Sequence, residues 1–275
     1  MTAQITTLIP LPSTTALVRD KIAAILVAES AAQQVIAATP SVAYTRASGT
    51  ASTSTCAASA IAPAVLQFGA YVVTAGTLTA GVGTWTAVAP DGTIGTFTST
   101  SAGQDLTFSG LGLLLDVTAG SVVWRTGDVV TATVYDPHQW ALRVFTEAAA
   151  PWSEWIDSPP QSAAAAVPIV CVSTGDQEYP EKTGNVVERQ RAGTMFWLDC
   201  YGYGIATETD TGHDPGDVAA SSEAERAREL VRAILMASQY TYLDMRGLVG
   251  KRWVEGTQRF QPQSEDRCEI GRAHV

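Results

Sequence analysis

The sequence predicts an α+β protein: an antiparallel sheet packed with two helices, interrupted by an inserted all-β sandwich or barrel. Two observations predict it. Segments with helical periodicity and most of the Glu and Arg flank a charge-poor stretch, Thr45 to Pro137, whose charged residues are Arg46, Asp91, Asp105, Asp116, Arg125, Asp128 and Asp136 alone. That stretch is also rich in Thr, Gly and Val, arranged as short runs between turn signals. The expected division is a discontinuous α+β domain, residues 1–44 and 138–275, with an insertion at 45–137 whose first part, 45–60, reads as a Ser/Thr/Ala linker. Such an insertion is tolerated when its ends enter and leave the host at neighbouring points on an exposed loop. A chain of 275 residues has room for two cores at roughly 100–200 residues per domain.

Leu17, Val18, Ile22, Ile25, Leu26 and Ile36 recur at helical spacing and predict a first helix over about Thr15–Ala38, with Arg19, Asp20, Lys21 and Glu29 on its wetter side. Ser13 or Thr14 is the expected N-cap, and Pro40 stops the helix. Inside the insertion, strands are expected at Phe68–Thr74, Gly83–Ala89, Ile94–Thr100, Leu106–Ser109 and Asp128–Tyr135. Pro90-Asp91-Gly92 is a turn, since Gly supplies the positive φ such turns need. Beyond the insertion, Trp140–Phe145 reads as a strand and Pro159-Pro160 as part of a linker of small residues. Val167–Ser173 reads as a buried strand, and Val186–Tyr203 as one long strand or a strand pair around Gly193. Ala224, Ala227, Leu230, Val231, Ile234 and Leu235 form the apolar face of a second helix over about Val218–Gln239. Two last strands are expected at Gly250–Glu255 and Cys268–Val275; the latter has no polar tail, so the natural chain is expected to extend further.

The net charge of −10 opposes broad attraction to nucleic acid, which needs clustered Lys and Arg, yet suits a passage through which DNA slides without sticking. The cysteines, Cys56, Cys171, Cys200 and Cys268, form no CxxC pair and are expected as reduced thiols, Cys171 and Cys200 as small buried hydrophobes. The N-terminal segment has no charged n-region or continuous apolar core, and no long uncharged apolar helix follows. A soluble protein, made in a cytoplasm and without membrane contact, is expected.

Catalytic residues, cofactors and metals are not expected. His138, His213 and His274 lie in no HExxH pattern, and no Gly-x-Ser-x-Gly elbow or Walker loop is present. The acidic stretch Thr207–Asp217 invites a calcium reading, but Asp210, Asp214 and Asp217 do not alternate as EF-hand ligands do. It reads as a solvated loop with Asp217 capping the second helix. Gly110-Leu-Gly112 reads as a turn, not a phosphate cradle. For subunit contacts the candidates are Trp152 and Trp155, which otherwise cover the protein's own sheet, and Glu188, Arg189 and Arg191, which otherwise form a solvated face.

The order helix, strand, Pro-led buried strand, long strand, amphipathic helix, two strands resembles the tail-terminator family of long-tailed phages. The residues that carry the resemblance are Leu17-Val-Arg-Asp-Lys-Ile-Ala-Ala-Ile-Leu, Arg143-Val-Phe145, Pro168-Ile-Val170, Thr194-Met-Phe-Trp-Leu and Ala224–Leu235. It covers about Leu11–Tyr44 and Trp140–Val275; ordinary terminators have a short connection where this chain has its insertion. The insertion is similar to the small Ig-like β-domain repeated in phage capsid decoration and other virion proteins. Its cues are Tyr71-Val-Val-Thr74, Trp85 through Gly92, Ile94-Gly-Thr-Phe97, Leu106-Thr-Phe108 and Gly127-Asp-Val-Val-Thr-Ala-Thr133. The resemblance implies a non-enzymatic virion protein of the tail and neck, assembled in the host cytoplasm as a homo-oligomeric ring, a hexamer. Implied partners are other copies of itself, the tail tube protein and the head–tail connector or neck proteins, with genomic DNA passing through without specific binding. Competing readings are a head-completion or neck connector protein one ring higher, and a glycan-binding module using exposed Tyr71, Trp85 or Trp124. An enzyme, which needs a convergent polar pocket, is the weakest reading.

Overall fold

A computed structural model describes residues 14–47, 49, 51–62, 65–162, 165–178, 193–205, 216–246, 248–249, 256–260 and 268–274. In chain order the elements are α1 (Thr14–Ala37), β1 (Ser41–Thr45), β2 (Thr55–Ala60), β3 (Gly69–Thr79), β4 (Val82–Val88), β5 (Ile94–Ser99), β6 (Leu106–Phe108), β7 (Leu113–Thr118) and β8 (Val129–Val134). Then follow β9 (Arg143–Thr146), α2 (Ser153–Asp157), β10 (Ile169–Glu178), β11 (Gly193–Tyr203), α3 (Asp217–Met236), β12 (Gly256–Phe260) and β13 (Cys268–His274). The protein is α+β. It divides into one compact unit made of Met1–Ala32 with His138–Val275, and a second made of Gln33–Pro137.

The second unit is a β-sandwich. One sheet has the order β1-β8-β3-β4-β5 and the other β2-β7-β6, with every pairing antiparallel. Side chains alternate in and out with the strand period of two: in β8, Val130, Ala132 and Val134 are buried while Val129, Thr131 and Thr133 are half-exposed. The inward set from both sheets, including Tyr71, Val73, Trp85, Val130, Leu106, Phe108, Leu113 and Leu115, forms one core. Trp85 and Trp124 meet edge to face at 5.8 Å, which orients the rings as well as burying them. First and last strands are neighbours, with Ser41 opposite Thr133, so the unit's two ends leave it side by side, as an insertion requires.

Two expectations change here. Strand β1 belongs to the sandwich, not to the α+β unit, because its alternating Val42 and Tyr44 complete the sandwich core. The 45–60 linker instead contains β2, whose Ala58 is buried against β7. The Pro90-Asp91-Gly92 turn forms as expected. Gly92 has φ +88° and donates to Ala89 O at 2.9 Å, and Asp91 Oδ1 accepts from Thr93 N–H at 2.8 Å. Gly110 and Gly112 lie in or beside a single 3-10 turn between β6 and β7, again as expected.

The first unit is a sheet of order β12-β13-β11-β10-β9. Its pairings are antiparallel except β9–β10, which is parallel with Ile169 opposite Arg143, so the sheet is mixed where a fully antiparallel one was expected. The connection over 147–168, which includes α2, is longer than the dozen or so residues a parallel crossover needs. Helices α1 and α3 pack on one face: Ile22, Ile25 and Leu26 with Ala227, Leu230, Val231 and Leu235 cover Val170, Val172, Phe196, Leu198 and Cys200. The approach of α3 is close at Gly202, where a Cβ would lie 2.0 Å from Ala220 O. Only glycine fits there. Helix α3 begins after Gly216, so Asp217 is its first helical residue and not its cap. The strand expected at Gly250–Glu255 lies outside the described residues, and β12 follows it.

Candidate functional site

Of the residues expected at subunit contacts, Trp152 and Trp155 are on the sheet face opposite the helices. The turn into α2 and α2 itself place them three apart, and β11 presents Tyr201 and Tyr203 two apart on one side; the two spacings match. Trp152 lies 5.3 Å from the Tyr201 ring and Trp155 lies 5.4 Å from Tyr203. With Ile169 and Cys171 they form a small second core, in which Trp155 is only 6% exposed. Both tryptophans thus cover the protein's own sheet. Glu188, Arg189 and Arg191 lie outside the described residues, as does His213; His274 is the last residue of β13.

The aromatics on which a glycan site depended face inward. Tyr71, Trp85 and Trp124 are 0%, 1% and 2% exposed. The Tyr71 hydroxyl accepts from Gln67 N–H at 2.6 Å, and Trp85 Nε1 donates to Ser99 Oγ at 3.4 Å. The polar handles of Tyr71 and Trp85 are used to fix the sandwich.

The structure also assembles a constellation that sequence reasoning missed. Asp128 is fully buried, and its two oxygens accept from Ala47 N–H at 2.7 Å and Arg125 N–H at 3.0 Å. It thereby ties the chain just after β1 to the chain just before β8. The residue before Ala47 is Arg46, whose guanidinium lies 4.5 Å from the ring centroids of both Tyr44 and Trp124, and whose Nη2 donates to Ser54 O at 2.8 Å. The Tyr44 hydroxyl donates to Cys56 O at 2.6 Å and accepts from Cys56 N–H at 2.9 Å. Burial raises the Cys56 thiol to about 11. Arg46 Nη1 and Trp124 Nε1 are buried donors without a protein acceptor, the pattern a trapped water satisfies. The signal for this cluster was present in the sequence: Arg46 and Asp128 are rare charges in a charge-poor stretch.

In the first unit, Glu147 Oε1 accepts from Thr174 N–H at 2.9 Å and from Arg19 Nη1 at 3.2 Å. Partial burial pushes its carboxyl upward, but the Thr174 N–H and Arg19 outweigh that and hold it below the usual glutamate value. His138 sits in a 3-10 turn with its Nε2 3.7 Å from Glu223, which also takes Arg226 at 2.6 Å. Cys171 and Cys200 are buried free thiols, Cys200 pushed by burial to about 12, where a thiolate nucleophile does not form near neutral pH. Among the described residues no group of three or more His, Cys, Asp or Glu is placed to hold a metal ion, and no helix is long and apolar enough to cross a membrane. These polar clusters brace the chain; each ties segments distant in sequence.

No family model matches the chain, and no curated protein matches it. Among solved structures it is similar to FlgL of Xanthomonas campestris, with 14% identity and a TM-score of 0.25. That similarity covers 36% of this chain and 32% of the other, and at this TM-score it carries no argument.

Proposed function

We propose that the protein is a structural, non-enzymatic component of a long-tailed phage particle: a tail terminator whose copies close into a ring, a hexamer, on the end of the tail tube. The observation that supports this reading is the discontinuous α+β unit. Its helix, strand, Pro-led buried strand, long strand, amphipathic helix and two final strands pack as one sheet with both long helices on one face, and a β-sandwich is carried after the first helix. The mechanism is stereochemical. Each copy occupies the assembly surface of the last tube ring, which stops polymerisation, and offers its other side to the connector proteins of the neck. Strands β9 and β12 are the sheet's edges, and an edge is a surface for strand addition by a neighbouring copy or by the tube. A ring of heterologous contacts closes where a filament does not. Ten net negative charges per copy repel the genome from the passage and assign DNA no specific contact. On this reading the protein is assembled in the host cytoplasm and resides in the virion neck.

Electron microscopy of the purified protein mixed with assembled tail tubes tests this. Density confined to one tube end supports the terminator. Binding to connector rings but not to tubes favours the neck connector instead, and binding to neither overturns both.

A further inference from the structure

Helix α1 is apolar on both sides. Its inner side buries Ile22, Ile25 and Leu26. Its outer side carries Ala24, Val27, Ala28, Ala31, Ala32 and Val35, all exposed, Val27 at 50% and Val35 at 71%. At 3.6 residues per turn these six share one face about 140° wide. Glu29 is the one charged residue between Lys21 and Arg46, and it is turned from that face: its carboxylate accepts from Gln239 Nε2 at 2.9 Å and from the Tyr240 hydroxyl. On a chain of net charge −10, an uncharged helix face of this length is a departure. Over these three turns a second apolar face, besides the one already buried, is the mark of a helix that is covered.

We infer that a second copy of this chain covers it, the two α1 helices packing antiparallel about a two-fold axis that passes between Ala28 and Ala31. In that register the face is complementary to itself in size. Ala28 meets the partner's Ala31 at the centre, Val27 meets the partner's Ala32, and Val35 meets the partner's Ala24, so each larger side chain falls on a smaller one. Alanines at the centre let the axes approach to about 8 Å, the near end of helix packing distances. Ala24 and Ala31 are seven residues apart, as are Ala28 and Val35, which keeps the two faces in register along a shallow crossing. Two such faces bury on the order of 1,000 Å² together, the size at which specific association is expected. Over Ala24–Val35 neither copy carries a charge on this face. The contact is two-fold and so differs from the heterologous contacts of a ring; it does not rest on the terminator reading.

The test is the mass of the full chain in solution by sedimentation, for the natural sequence and for Ala28→Arg. Position 28 is exposed in the single chain, so the variant keeps its fold, which circular dichroism checks. The expected result is an even multiple of the chain mass, halved by Ala28→Arg because two guanidinium groups then meet across the axis. Mixing Ala28→Cys with Ala31→Cys under mild oxidation is expected to yield a disulfide-linked dimer that neither variant gives alone. A natural chain that is monomeric, a mass unchanged by Ala28→Arg, or a mixture without crossed dimer overturns the inference.

Discussion

Replacing Asp128 by alanine is expected to destabilise the sandwich by about 3 kcal/mol, a figure built from two lost backbone acceptors. The side chain is fully buried and accepts from Ala47 N–H at 2.7 Å and Arg125 N–H at 3.0 Å. Without it two backbone donors are left unsatisfied, at about 1–3 kcal/mol each, partly offset because a carboxylate no longer has to be taken out of water. Asparagine does not rescue fully, since its NH₂ group is turned toward one of the two N–H donors. The chain has two compact units, so the whole-molecule melting temperature mixes them. Native-state hydrogen exchange read on peptides from 41–135 isolates the effect. Protection of the Ala75 amide, which donates to Asp128 O at 2.8 Å, should fall about a hundredfold, tenfold per 1.4 kcal/mol. A loss below about threefold in both Asp128→Ala and Asp128→Asn would show that the carboxylate does not hold the two ends of the insertion together, and would refute the reasoning.

Other substitutions test other joints. Ala80 and Gly81 form the hairpin between β3 and β4 at φ +50° and +79°, so Ala80→Asn, suited to that left-handed position, should stabilise the sandwich by about 0.5–1 kcal/mol in urea melts. Gly202→Ala places a Cβ 2.0 Å from Ala220 O and should lift α3 from β11, lowering the denaturant midpoint by the equivalent of about 3 kcal/mol while leaving exchange in 41–135 unchanged. Glu147 has its folded carboxyl held below the unfolded value, so its contribution is complete above the ordinary glutamate range and is lost as pH falls through the folded value. Urea melts of Glu147→Gln should therefore show a deficit at neutral pH that closes in strong acid; a deficit independent of pH would remove charge from the explanation.

How much was legible follows from the residues. The long helices were readable because Ile22, Ile25 and Leu26, and Leu230, Val231 and Leu235, repeat with the helical period and the tertiary fold uses that period without change. Strands β3, β4, β5 and β8 carried alternating Val, Thr and aromatic residues and were legible for the same reason. Strand β2, Thr-Cys-Ala-Ala-Ser-Ala, was not, because neither its composition nor its pattern favours a strand and only the facing β7 makes it one. The Leu113-Leu114-Leu115 run in β7 has no β-branched signature, and both its faces meet apolar or half-covered surroundings. At the site level, Trp152 and Trp155 announced an aromatic cluster, but a sequence does not say which side of an aromatic pair faces a neighbour. Tyr201 and Tyr203 decided that. Arg46 and Asp128 are far apart in sequence, and no spacing rule joins them; their rarity in an uncharged stretch was the available sign.

The central claim is that the chain ends tail-tube growth. It is tested most directly by polymerising purified tube protein with substoichiometric amounts of this protein while following light scattering. The account predicts that growth halts at an amount proportional to the number of tube ends, with the added protein found on those ends. Tubes that lengthen at the same rate and to the same extent, with the added protein left free in solution, would contradict it.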